Sequence, residues 1–222
     1  MEDEYEGAFS EATFERVITL GEGEEAENLE RELNEYERSN MNLVRELNRR
    51  GAFVNCWHMN EDESAAMWKV YSGLGIAIQS TFQRLAKSFV DRYEPVYIST
   101  INCEDFMHFP MRFDSENRIE STLYKRKMFE YERELRAFWL HEPMTDGKIT
   151  LMLENHPVGQ SLNVDLRTLI EQVYISPGRR DWFQGLVRNV LDKYGFTRIP
   201  VVPSALDDVP HTQTWKDAVP TE

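Results

Sequence analysis

The chain has 222 residues, of which 41% are hydrophobic and 12% aromatic, with a formal net charge of −14, so there is enough apolar material for a full core. No run of about 18 apolar residues occurs, which argues against a membrane-spanning helix, and the two cysteines, Cys56 in an apolar run and Cys103 in a polar one, do not make a disulfide framework. The expectation is a soluble protein of the reducing cytoplasm.

The negative charge is local. Residues 1–40 hold 14 acidic and 3 basic residues, and the remaining 182 carry only about −3, so the total is a weak argument against a nucleic-acid partner. Residues 24–50 read as a charged helix with Leu29, Leu33, Tyr36, Leu43 and Leu47 at helical spacing and the rest in solvent.

Beyond it the pattern turns to short strands and helices. Ala52 to His58 reads as a strand. Asn60-Glu61-Asp62-Glu63 is an acidic start for a helix that runs through Tyr71 and closes at Gly73. Gly75 to Ser80 reads as a buried strand, Thr81 to Val90 as a helix and Tyr93 to Ser99 as a strand. Residues 102–116 look like loop, and Ile119 to Met128 like a short basic helix. Tyr131 to Leu140 is a charged strand, Pro143 to Gly147 a turn, and Ile149 to Leu153 with Gln160 to Val164 a hairpin. Gln172 to Ser176 is a strand, Arg180 to Tyr194 a helix ended by Gly195, and Ile199 to Val202 a last strand. From Pro203 a loose tail is expected.

The charged strand is the most informative stretch. In extended chain Glu132, Glu134 and Arg136 fall on one face with Phe138, consecutive members about 7 Å apart. Two carboxylates and a guanidinium on one face are either wet or partnered by one another and a ligand.

Asn55-Cys56-Trp57-His58, Glu63 to Tyr71, Gly75 to Ile78, Lys125 with Phe129, Glu132, Glu134 and Arg136, Val173 to Pro177 and Val202-Pro203-Ser204 together resemble the bacterial family called domain of unknown function 2971, over roughly residues 3–206. Asp3-Glu4-Tyr5-Glu6-Gly7 resembles an acidic motif that in this family follows a further N-terminal segment, so a short or truncated member is expected. The family carries no settled activity.

Three functions compete. Glu132-Arg133-Glu134 is similar to the Glu-x-Glu signature of many ADP-ribosyltransferases, in which the second carboxylate binds the nicotinamide-side ribose of the substrate NAD and stabilises an oxocarbenium-like transition state. On that analogy Glu134 is the main catalytic group, with Glu132 and Arg136 beside it. Trp57, Trp68 or Tyr71 would stack on nicotinamide, with His58 and Lys125 lining the same cleft, and Ser80 would hydrogen-bond a ribose. The partners are then a small nucleotide and a protein or nucleic-acid acceptor, as in a toxin or phage-defence enzyme. The alternative is a Mg²⁺-dependent nuclease with Glu132, Glu134 and Asp114 or Glu120 as ligands, although Arg136 stands where such sites keep a lysine base. The third is a structural or non-catalytic network of satisfied charges. Separately, Ser176-Pro177-Gly178-Arg179-Arg180-Asp181, between a strand and a helix, reads either as an anion site using Arg179 and Arg180 or as a plain helix start.

The expected architecture is a single α/β domain around one mixed, partly antiparallel sheet flanked by helices. It has an acidic helical region at 1–50, a core at 51–206 and a tail at 207–222. No histidine has zinc-ligand spacing to another histidine or a cysteine.

Overall fold

The computed structural model describes residues 13, 22–73, 75–90, 95–111, 119–141, 144–145, 148–149, 158–179 and 181–208. Of the sequence expectations, Asp114, Arg180, the motif at Asp3–Gly7 and the tail beyond residue 208 lie outside them. In chain order the elements are α1 (Glu24–Gly51), β1 (Ala52–His58), α2 (Ala65–Tyr71), β2 (Ile76–Gln79), α3 (Phe82–Ser88), β3 (Tyr97–Thr100), β4 (Asn102–Glu104), β5 (Tyr124–Arg126), β6 (Glu134–Leu140), β7 (Met144–Thr145), β8 (Lys148–Ile149), α4 (Leu166–Leu169), β9 (Gln172–Ile175), α5 (Asp181–Lys193) and β10 (Val201–Pro203). The α/β class is as expected. The strands, however, divide among separate sheets, β1-β6-β3, β10-β9-β2, β4-β5 and β7-β8, instead of forming one. The chain separates into two compact units, Met1–Met59 with Arg92–Leu162 and Asn60–Asp91 with Asn163–Glu222.

In the first unit α1 has Glu24, Glu25 and Glu27 in its first turn and Arg49 and Arg50 in its last, which complements the helix dipole at both ends. Only its second half packs: Met41, Leu47 and Asn48 are buried, whereas Leu29 and Tyr36 are exposed. Met41 joins Phe106 and Met111 in a small core flanked by Phe109 and Tyr124, and the Asn48 amide donates to the Ser121 hydroxyl. In the main sheet β6 is central and antiparallel to both neighbours. Its Ala137, Phe138 and Trp139 are buried, with Phe138 stacked on Tyr97 at 5.4 Å and Trp139 on Phe53 at 5.6 Å. Such aromatic pairs contribute roughly 0.5–1.5 kcal/mol beyond area burial.

Several expectations are corrected here. The supposed basic helix at 119–128 is a 3₁₀ turn at Glu120–Leu123, the strand β5, and a second 3₁₀ turn at Lys127–Glu132. Residues 102–104 of the supposed loop are β4, which pairs in parallel with β5. This non-local pairing overrides the local helix pattern. The charged strand begins at Glu134, not Tyr131, because Arg133 has φ 43 and ψ 55, a left-handed conformation that breaks the extended run. Gln160 to Val164 is no strand, and Val164 makes a lone bridge to Phe89; β7, within the expected turn, pairs with β8, and residues 150–153 of the expected hairpin lie outside those described.

The second unit is built on β9, antiparallel to β2 and parallel to β10, with α5 as the crossover. Val173 and Ile175 are buried. β2 is an edge strand with Ile76 and Ile78 at 44% and 40% exposure, which corrects the expectation of a buried strand. Ser64 and Thr81 cap α2 and α3 by accepting from the Met67 and Arg84 amides. Pro203 belongs to β10, and a 3₁₀ turn at Ala205–Asp207 follows where a loose tail was expected. Among the described residues no helix is long and apolar enough to cross a membrane.

Candidate functional site

The first unit contains a buried charged cluster built by two strands and one bend. Glu134 and Arg136 alternate with Leu135 along β6 and so share a face. Across the ladder His58 lies opposite Glu134, while Cys56 and Ser99 lie opposite Arg136 on either side. The left-handed Arg133, held by its amide to the Glu130 carbonyl at 3.1 Å and by its carbonyl to the Met59 amide at 2.9 Å, turns the preceding 3₁₀ segment back over this face. Glu132 therefore joins the group from outside the strand.

Lys125 closes the cluster. Its ammonium donates to Glu132 Oε2 at 2.6 Å and to Glu134 Oε2 at 3.3 Å. It also lies 4.9 Å from the centre of the Phe129 ring, a favourable cation–π position. Arg136 Nε donates to Glu134 Oε1 at 2.7 Å and Nη2 to Glu134 Oε2 at 3.1 Å, while Nη1 donates to the Thr122 carbonyl at 2.9 Å. Glu132 and Glu134 are 4% exposed and Arg136 1%.

The electrostatics follow from this pairing. Burial by itself pushes the Glu134 carboxyl up, but hydrogen bonds from Arg136 and the Cys56 thiol, with the charges of Arg136 and Lys125, hold it below the ordinary carboxylate value. Burial likewise works to lower the Lys125 ammonium and is outweighed by Glu132 and Glu134, which raise it. Both groups are therefore charged at neutral pH. Cys103, opposite Lys125 in the β4-β5 pair, has its thiol pushed up by burial and by the nearby glutamates despite Lys125. His58 Nδ1 lies 2.9 Å from the Glu132 carbonyl, so that nitrogen carries the proton that it donates.

Of the residues singled out by sequence, Lys125, His58, Glu132, Glu134 and Arg136 come together here. Trp57 does not. It alternates with Cys56 and His58, lies opposite Leu135 on the other face of the sheet, and donates its ring N–H to Asn55. Trp68, Tyr71, Ser80 and Arg179 belong to the second unit. There Trp68 donates to Glu63 Oε2 at 2.8 Å, Ser80 to the Leu169 carbonyl at 2.6 Å, and Tyr71 is exposed. At the suggested anion loop the Gly178 amide donates to both carboxylate oxygens of Asp207, at 2.9 and 2.8 Å, so a carboxylate of the chain itself already takes the position of the expected anion.

Two residues were missed. Cys56 reaches Glu134, and its place two before His58 in a strand was the available signal. Glu63 was read only as an acidic helix start, yet its carboxylate also accepts from the Ser204 hydroxyl and the Ala205 amide, both at 2.7 Å. No family model, no curated protein and no solved structure matches the chain.

Proposed function

We propose that the chain is an ADP-ribosyltransferase-like enzyme with NAD as substrate and Glu134 as its principal catalytic group, in keeping with the likeness of Glu132-Arg133-Glu134 to the Glu-x-Glu signature. The observation that carries this reading is the convergence of Glu132 and Glu134 on a single ammonium, with Glu134 held ionised. An ionised carboxylate fixed by a guanidinium fork is suited to oppose the positive charge that develops on a ribose. The bond from the anomeric carbon to the nicotinamide nitrogen breaks with its electron pair on nicotinamide. The acceptor heteroatom then bonds that carbon and gives its proton to Glu132. NAD would enter by displacing Lys125 from Glu134, the longer of its two contacts at 3.3 Å.

A second reading rests on the saturation of the cluster. Both Glu134 oxygens are engaged and the residue is nearly inaccessible, as in a structural charge network. Less supports the nuclease, because the place between the two carboxylates where a divalent ion would sit holds the Lys125 ammonium.

The test is incubation of the protein with labelled NAD and a cell lysate, alongside Glu132→Gln and Glu134→Gln. The enzyme reading expects label transfer or nicotinamide release that Glu134→Gln abolishes, whereas Glu132→Gln loses transfer and keeps some NAD cleavage. Intact NAD with every protein, and a changed melting temperature only, would leave the structural reading.

A further inference from the structure

We propose that a groove in the second unit, distinct from the charged cluster and independent of the activity proposed above, binds a small molecule bearing a phosphate group. The groove has a volume of about 530 Å³ and is lined by Arg84, Arg167, Arg198, Glu171, Gly195 and Phe196, among others. That volume lies within the range of roughly 300–1,000 Å³ typical of small-molecule sites.

Its charge is unusual for this chain. Acidic residues outnumber basic ones by 39 to 25, yet three arginines and a single glutamate line this groove, and none of the three arginines is in an ion pair among the described residues. With Glu171 as the one carboxylate of the lining, positive charge is in excess there, and a bound anion would offset it.

The donors are held in place from behind. Arg84 Nη2 donates to the Ile170 carbonyl at 2.9 Å and the Arg167 carbonyl at 3.3 Å, while its buried Nε has no partner among the described residues. Arg167 donates through Nη1 to the Gly195 carbonyl at 3.1 Å and lies over the Phe196 ring at 5.2 Å. The loop bearing Phe196 is fixed in turn by Arg188, which donates to the carbonyls of Phe196 at 2.8 Å and Ile199 at 2.6 Å. Gly195, at φ +78, supplies the left-handed bend, and an added Cβ there would stand 3.5 Å from Arg167 Nη2. The guanidinium groups of Arg84 and Arg167 are thus held in place with N–H groups to spare, Arg198 adds an exposed third charge, and the planar fork of arginine matches phosphate oxygens. The groove's volume of about 530 Å³ suits a small phosphorylated compound better than an extended polyanion such as nucleic acid.

The experiment is calorimetric titration of the full chain with inorganic phosphate, pyrophosphate, AMP and a single-stranded RNA oligomer, at low and high salt. Wild type is compared with Arg198→Glu, with Arg167→Lys and with Arg49→Glu on α1 as a control. The expected result is one-to-one binding of pyrophosphate or AMP, weakened tenfold or more by Arg198→Glu and at least threefold by Arg167→Lys, and unchanged by Arg49→Glu. Phosphate alone binding at the same site would assign the groove to the free ion; AMP binding more tightly would assign it to a nucleotide. The proposal is overturned if no small probe saturates, if only RNA binds, or if Arg49→Glu weakens binding as much as Arg198→Glu. Should Arg198→Glu not fold, Arg167→Lys with an unchanged melting temperature decides the matter alone.

Discussion

Arg136 grips Glu134 with two nitrogens although the two residues stand only two places apart on one strand, Nε on Oε1 at 2.7 Å and Nη2 on Oε2 at 3.1 Å. The pleat makes this possible, because alternate residues share a face. Covered by the 120–132 segment, the pair becomes a bidentate ion pair inside the protein instead of a solvated surface pair worth at most about 1 kcal/mol.

Breaking the pair from one side leaves a buried charge. Arg136→Met should lower stability by about 3–5 kcal/mol, and the double variant Glu134→Gln with Arg136→Met should be more stable than Arg136→Met alone. Urea midpoints measured for Arg136→Met, Glu134→Gln, the double variant and wild type close the cycle; a double variant no better than Arg136→Met would mean that the pair is not the dominant interaction.

The pH dependence has a definite sign. The folded pKa of Glu134 lies below its ordinary value of 4.5, so its contribution is complete above that value and is lost as pH falls toward the folded pKa. The difference in melting temperature between wild type and Glu134→Gln should therefore shrink as pH falls below 4.5. Lys125, raised above 10.5, contributes fully below that pH and fades only at more alkaline values, so Lys125→Met should show no such narrowing near neutrality.

Arg133 is the one non-glycine residue with positive φ among those described. Arg133→Gly relieves the strain and should stabilise by up to about 1 kcal/mol, while Arg133→Val should cost about 1–2 kcal/mol. Thermal melts read both; a neutral Val variant would show that the bend is not required.

Glu63 accepts from Trp68, Ser204 and Ala205. Glu63→Ala should cost about 2 kcal/mol or more, since hydrogen bonds to a charged group contribute roughly 1.5–3 kcal/mol. The emission of Trp68 should shift as its ring N–H loses its partner. Asp62→Ala, on the exposed neighbour, should remain within about 0.5 kcal/mol of wild type.

What could be read in advance was what neighbours in sequence decide. β1 spans Ala52–His58 as expected, α2 ends ahead of Gly73 as expected although it starts at Ala65 after Ser64 and not at the acidic run, and α5 gives way to Gly195 at positive φ. Residues 119–132 escaped because β5 exists only through its partner β4, some twenty residues earlier. The one-face alignment of Glu132, Glu134 and Arg136 was right in outcome and wrong in cause: a left-handed Arg133, invisible to a periodicity count, folds Glu132 over the sheet. Trp57 is grouped with the acids in the sequence reading as a ring to stack on nicotinamide, whereas strand alternation sends it to the opposite face.

The hydrogen bond between Glu63 and Ser204 spans 141 positions, and the unit containing it resumes only at Asn163 after the whole of Arg92–Leu162. A ribosome therefore releases the glutamate long before its donors exist. Until Ser204 and Ala205 are made, that carboxylate has water in place of two of its partners, and β9 would present a raw margin where β10 later docks. Nascent chains halted short of Val201 should be open to chaperones and proteases, so completion of this unit is timed by translation itself.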